Sequence, residues 1–109
     1  MIYSTICKIF KEEVTMQIRE FQRMMKTIYF SKDLERGLFG TYEWLADEVK
    51  ELGDALEGTD KIAIEKEFAD VIAWLASLAN LIEIDLEKAA LNKYQNKCPK
   101  CQQSICRCS

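Results

Sequence analysis

Apolar residues recur at helical spacing along most of this chain. Ile18, Phe21, Met24, Met25 and Ile28 form one stripe and predict a first helix from about Gln17 to Tyr29. Ser31-Lys32-Asp33 reads as a polar break, and Arg36-Gly37 reads as the start of a loop. A second helix is expected from the N-cap candidate Thr41, with Leu45, Val49, Leu52 and Leu56 as its core stripe and Gly58 as its stop. A third is expected after Asp60, burying Phe68, Val71, Ile72, Leu75, Ala79 and Ile82. A fourth follows the N-cap candidate Asp85 and reaches about Tyr94. No useful strand-like alternation interrupts this pattern. The predicted class is all-α, a four-helix bundle built on a central antiparallel hairpin that turns at Gly58-Thr59-Asp60.

That hairpin brings acids together. Glu48 and Glu51 are three residues apart, as are Glu67 and Asp70, and such a spacing puts both members of a pair on one helix face. Glu48 and Asp70 lie equidistant in sequence from residue 59, and so do Glu51 and Glu67. All four should therefore meet at one level of the hairpin, with Trp44 and Trp74 facing each other one turn further along. Two carboxylates about 5 Å apart repel by roughly 3 kcal/mol at an effective dielectric of about 20. Such a box favours divalent cations, and oxygen ligands on rigid helices suit Mg²⁺. The plain alternative is a hairpin with an ordinary acidic surface.

Composition narrows the chemistry. A chain of 109 residues can form one small domain, and a single proline among 49% apolar residues argues for a folded, helical protein. Histidine is absent, which excludes His-based triads, His acid–base catalysis and mixed Cys/His zinc sites. The net charge of −3 is unevenly spread, because no acid follows Glu87 whereas Lys88, Lys93, Lys97, Lys100 and Arg107 do. A cationic end beside an acidic metal box suits a phosphorylated substrate, and it equally suits a merely solvated end. Val71 to Ile82 is too short to span a bilayer, and Met1 to Phe10 lacks the features of a signal peptide, so the expected location is cytoplasmic. Lys11 to Met16 back-translates to a purine-rich stretch just before an ATG codon. Met16 is therefore expected as the natural start, with residues 1–15 an N-terminal extension.

Hydrolysis of a phosphoanhydride needs metals on the phosphate oxygens, a water placed in line and a base for its proton, and carboxylates on helices can serve all three. The segment Leu45-Ala-Asp-Glu-Val-Lys-Glu-Leu52, followed by Glu67-Phe-Ala-Asp70-Val-Ile-Ala-Trp, resembles the MazG-like all-α nucleotide pyrophosphohydrolases, whose hallmark is E-x-x-E followed by E-x-x-D. Asp33-Leu-Glu-Arg36-Gly37, Ile84-Asp85-Leu86 and Lys93-Tyr94 match outside the hallmark. The resemblance runs from about Met16 to Cys108 and implies a MazG-like domain over 16–97. It implies Mg²⁺-dependent cleavage of a nucleoside triphosphate between its α and β phosphates, with Mn²⁺ as a substitute metal. Glu48, Glu51, Glu67 and Asp70 would be the ligands, Lys93 would sit near the phosphates, and Arg36 is a second candidate there. Ala90-Leu91-Asn92-Lys93 departs from the family pattern, which often has asparagine two residues before that lysine.

Either tryptophan could stack on a nucleobase or belong to the core, and Trp44 is the better base-stacking candidate because it lies at the entrance of the second helix. Asn80, polar within an apolar helix, could meet the nucleotide or a neighbouring helix. Residues 98–109 form a cysteine-rich tail in which Cys98, Cys101, Cys106 and Cys108 could hold Zn²⁺, pair as disulfides or stay unstructured. So small a domain is expected to self-associate as a homodimer or homotetramer. Phosphoribosyl-ATP hydrolysis is the competing enzymatic reading. A catalytically idle module that binds RNA or protein through the basic tail is the non-enzymatic one, although neither nucleic acid nor membrane is the expected partner.

Overall fold

A computed structural model describes residues 15–109. The expected extension therefore lies, except for Thr15, outside the described residues. Four helices follow one another: α1 (Ile18–Arg36), α2 (Leu38–Leu56), α3 (Lys61–Leu81) and α4 (Leu86–Lys93). No strand occurs among the described residues, and none of their helices is long and apolar enough to cross a membrane. Helices α2 and α3 form the antiparallel hairpin, and α1 packs chiefly against α3.

Local chemistry explains most boundaries. The Asp60 carboxylate accepts from the amides of Ile62 and Ala63 at 3.1 and 3.2 Å, which caps α3 as its sequence predicts. Asp85 does the same for α4 through Lys88 N at 3.1 Å. Between α1 and α2 the sequence reading needs correction. The polar run Ser31-Lys32-Asp33 does not break α1, because Ser31 and Lys32 face solvent while Asp33 points inward at 1% exposure. The helix ends only at Gly37, whose φ of +85° is costly for a residue with a side chain. Gly37 N–H donates to Asp33 O at 2.9 Å, and its carbonyl accepts from Thr41 N at 3.0 Å. Thr41 is thus a fully buried residue within α2 rather than its cap.

The core is small and partly polar. Among the described residues the buried apolar side chains are Met25, Ala76 and Ala79. Beside them Gln22 Nε2 donates to Asn80 Oδ1 at 3.1 Å and to Ile84 O at 2.7 Å, while Gln22 Oε1 accepts from Leu86 N at 3.0 Å. Asn80 Nδ2 returns a bond to Gln22 O at 3.1 Å. Buried amides this fully paired fix how α1 meets α3, which assigns Asn80 to a neighbouring helix. Arg19 adds ion pairs to Asp85 at 2.8 Å and Glu87 at 3.1 Å, joining the starts of α1 and α4.

Much of the expected core stripe is not covered. Val49 and Leu56 of α2 are exposed, and so are Phe68, Ile72, Leu75 and Ile82. The periodicity identifies the apolar faces correctly, but one chain buries only part of them.

Candidate metal centre

The hairpin register holds at the tryptophans. The rings of Trp44 and Trp74 stack with centroids 5.6 Å apart and planes 10° from parallel, so residues equidistant from the turn do meet. Trp44 nevertheless remains 49% exposed, which removes it from the core.

One turn nearer the loop, Glu48, Glu67 and Asp70 each place a carboxylate oxygen within 4.8 Å of the other two. Two of their oxygens, Glu48 Oε2 and Glu67 Oε1, are buried with no hydrogen-bond partner among the described residues. An orphaned buried acceptor is costly, and two in one acidic cluster are groups that a bound cation, a water or a proton would satisfy. Burial pushes the Glu48 carboxyl above its ordinary range, and the charges of Glu51, Asp70 and Glu67 push it further. The Glu67 carboxyl is raised by burial first and then by Glu51 and Asp70. Glu51 is exposed and lies outside the tight trio, though its charge reaches both partners. An octahedral Mg²⁺ with bonds of about 2.1 Å spans about 4.2 Å between opposite ligands. Carboxylate oxygens gathered within 4.8 Å of one another are spaced as hard oxygen ligands for a cation of that kind would be.

Beside the trio, a cavity of about 300 Å³ is lined by Tyr29, Lys32, Asp33, Arg36, Asp70 and Trp74, among others. Arg36 Nη1 donates to Asp33 Oδ1 at 2.7 Å, and its guanidinium lies 4.6 Å from the centre of the Trp74 ring. The anticipated Arg36 thus stands near Asp70, held by a buried carboxylate and an indole. Lys32 and Tyr29 are further candidates that the sequence reading missed. Their signal was the spacing Tyr29, Lys32, Asp33, Arg36, which is one helix face once α1 is continued to Gly37. Lys93 is placed elsewhere: it lines a second cavity, of about 520 Å³, with Tyr94, Lys97 and the cysteine tail.

The MazG nucleotide pyrophosphohydrolase domain profile matches residues 39–102, more than half of the chain. The protein belongs to the MazG family. The matched span holds all four hairpin acids, both tryptophans and Lys93, whereas Arg36 and Lys32 precede it. No curated protein matches the chain closely enough to name a relative. Nucleotide pyrophosphohydrolase activity at the level of the MazG family, and an all-α fold among the described residues, therefore follow directly.

Proposed function

We propose that this MazG-family chain is a Mg²⁺-dependent nucleoside triphosphate pyrophosphohydrolase, converting a ribo- or deoxynucleoside triphosphate and water to the monophosphate and pyrophosphate. The observation that carries the reading is the pair of buried, unpartnered oxygens on Glu48 and Glu67 beside Asp70. Glu48, Glu67 and Asp70 would hold the metal, with Glu51 turned inward as the fourth ligand. Bound Mg²⁺, or Mn²⁺ in its place, would neutralise phosphate oxygens and lower the pKa of a coordinated water. A carboxylate of the set receives the proton of the attacking water. Arg36 and Lys32 offer positive charge to the phosphates from the adjoining cavity, and the half-exposed face of Trp44 offers a stacking surface for the base.

The test is a product assay on the purified chain with Mg²⁺ and a panel of nucleoside triphosphates plus phosphoribosyl-ATP. Monophosphate with pyrophosphate from a nucleoside triphosphate is expected; phosphoribosyl-ATP as the sole substrate would select the competing enzyme. Absence of any metal-dependent product, with strong salt-sensitive RNA binding, would favour the idle module.

Self-association belongs to the same reading. Phe39, Phe68, Ile72 and Leu75 are exposed at 77%, 56%, 43% and 41%, apolar side chains that a second copy of the chain would cover. Light scattering coupled to gel filtration should give a dimer or tetramer mass, and a strictly monomeric protein at micromolar concentration would remove this part of the proposal.

A further inference from the structure

After α4 the chain has almost no apolar means of holding its shape. Ile105 is 81% exposed, and the segment from 94 to 109 contains no helix or strand. Its backbone is nevertheless folded tightly. Gln102 N–H donates to Cys98 O at 2.8 Å, Cys98 N–H donates to Gln103 O at 2.9 Å, and the Gln102 side chain donates to Pro99 O at 2.9 Å. Gln102 turns through a φ of +63° to make this loop, a conformation that a free chain has little reason to keep at glutamine.

What the loop achieves is a convergence of sulfur. The Sγ atoms of Cys98, Cys101, Cys106 and Cys108 all lie within 4.8 Å of one another. Cys98 and Cys108 approach to 3.8 Å, far beyond the roughly 2.05 Å of a disulfide. Four sulfurs around Zn²⁺ at about 2.3 Å define a tetrahedron with edges of about 3.8 Å. The backbone also supplies donors: Arg107 N–H points to Cys101 Sγ at 3.4 Å and Cys108 N–H to Cys106 Sγ at 3.3 Å. Amide donors of this kind stabilise coordinated thiolates. Four thiolates on one divalent ion leave a charge of −2, and Lys97, Lys100 and Arg107 lie within a residue of the ligands with no acid after Glu87 to oppose them. A cluster made only of thiolates selects a soft or borderline metal, unlike the all-carboxylate trio in the hairpin.

We propose that Cys98, Cys101, Cys106 and Cys108 bind one Zn²⁺ as a closed tetrathiolate site, and that this metal, in place of an apolar core, folds the tail against the end of α4. Binding releases the thiol protons to solvent and involves no redox step. Lys93 and Lys97 line the same cavity as Cys98 and Cys106, so the clasp would bear on where these two lysines stand. This site is separate from the hairpin acids and stands or falls independently of the pyrophosphohydrolase reading.

The decisive measurement is metal content of the full chain purified under reducing conditions without added metal. One zinc per chain is expected, surviving dialysis into Mg²⁺ buffer and appearing in a chromogenic chelator when a mercurial caps the thiols. Cobalt reconstitution should give the intense visible bands and sulfur-to-metal charge transfer of tetrahedral thiolate coordination. Cys101→Ser should lose the zinc while keeping helical circular dichroism; if that variant aggregates, the cobalt spectrum of the parent chain still decides the matter. Stoichiometric iron, a disulfide between tail cysteines detected by intact mass and peptide mapping, or all five cysteines of the chain free with no metal would each overturn the proposal.

Discussion

Glu48→Gln is expected to abolish turnover and, in the same molecule, to raise the stability of the metal-free protein. Both effects come from the buried oxygen that Glu48 presents to Glu67 and Asp70 without a hydrogen-bond partner. Loss of one charged ligand from a metal centre that supplies several kcal/mol of transition-state stabilisation should lower kcat/KM by at least about a thousandfold. The same change removes a like charge from a crowded set. Because the acids are partly solvated the relief is screened, and the melting temperature should rise by only a few degrees. Purified variant and parent, each assayed with Mg²⁺ and melted in chelator, give both readings. Activity within a few-fold of the parent would take Glu48 out of the mechanism.

The pH dependence has a defined sign. Glu48 and Glu67 are raised above an ordinary value of 4.5 in the folded state, so the native protein holds their protons more tightly than the unfolded chain does. Their contribution to stability is fully present below that ordinary value and is lost as pH rises through the raised folded values. In chelator, the melting temperature should therefore fall across this interval. With Mg²⁺ the trend reverses, because only the ionised acids bind the cation. The two curves should separate as pH rises, and Glu48→Gln should narrow the gap.

How much of this was legible in advance depends on what each residue's partner is. The hairpin could be read because its evidence is local: a glycine and an aspartate cap mark the turn, and Trp44 and Trp74 then meet as their equal distances from it require. The acidic cluster followed from the same register, with Glu51 the member that the fold leaves at the edge. Gln22 was not legible. In sequence it sits between Phe21 and Arg23 like any solvated residue, and its partner Asn80 lies on another helix, 58 residues away. The length of α1 was misread for a related reason, since Asp33 looks like a helix breaker until Arg36 is seen to neutralise it. The exposed apolar stripes mark a further limit: periodicity tells which face is apolar, but not whether the same chain covers it.

Arg36→Ala tests the most tightly built part of the candidate nucleotide site. Asp33 is 1% exposed, one of its oxygens is bonded to Arg36 at 2.7 Å, and the other has no partner among the described residues. Removing the guanidinium leaves a buried charge without compensation, for which a loss of about 3 kcal/mol is expected, the lower end of the usual range because Arg36 itself is partly exposed. For a domain of this size that loss corresponds to a melting temperature lower by at least about 10 °C. It also strips the cation from the Trp74 ring and from the cavity beside Asp70. Stability and activity would then fall together, so a second variant must separate them. Asp33→Asn combined with Arg36→Ala removes the buried charge along with its partner and should recover much of the lost stability in a double-mutant cycle. Recovery of stability without recovery of KM would assign Arg36 to the phosphates of the substrate. Recovery of both would make the arginine a structural counter-ion for Asp33 and leave Lys32 as the cation facing Asp70 across the cavity.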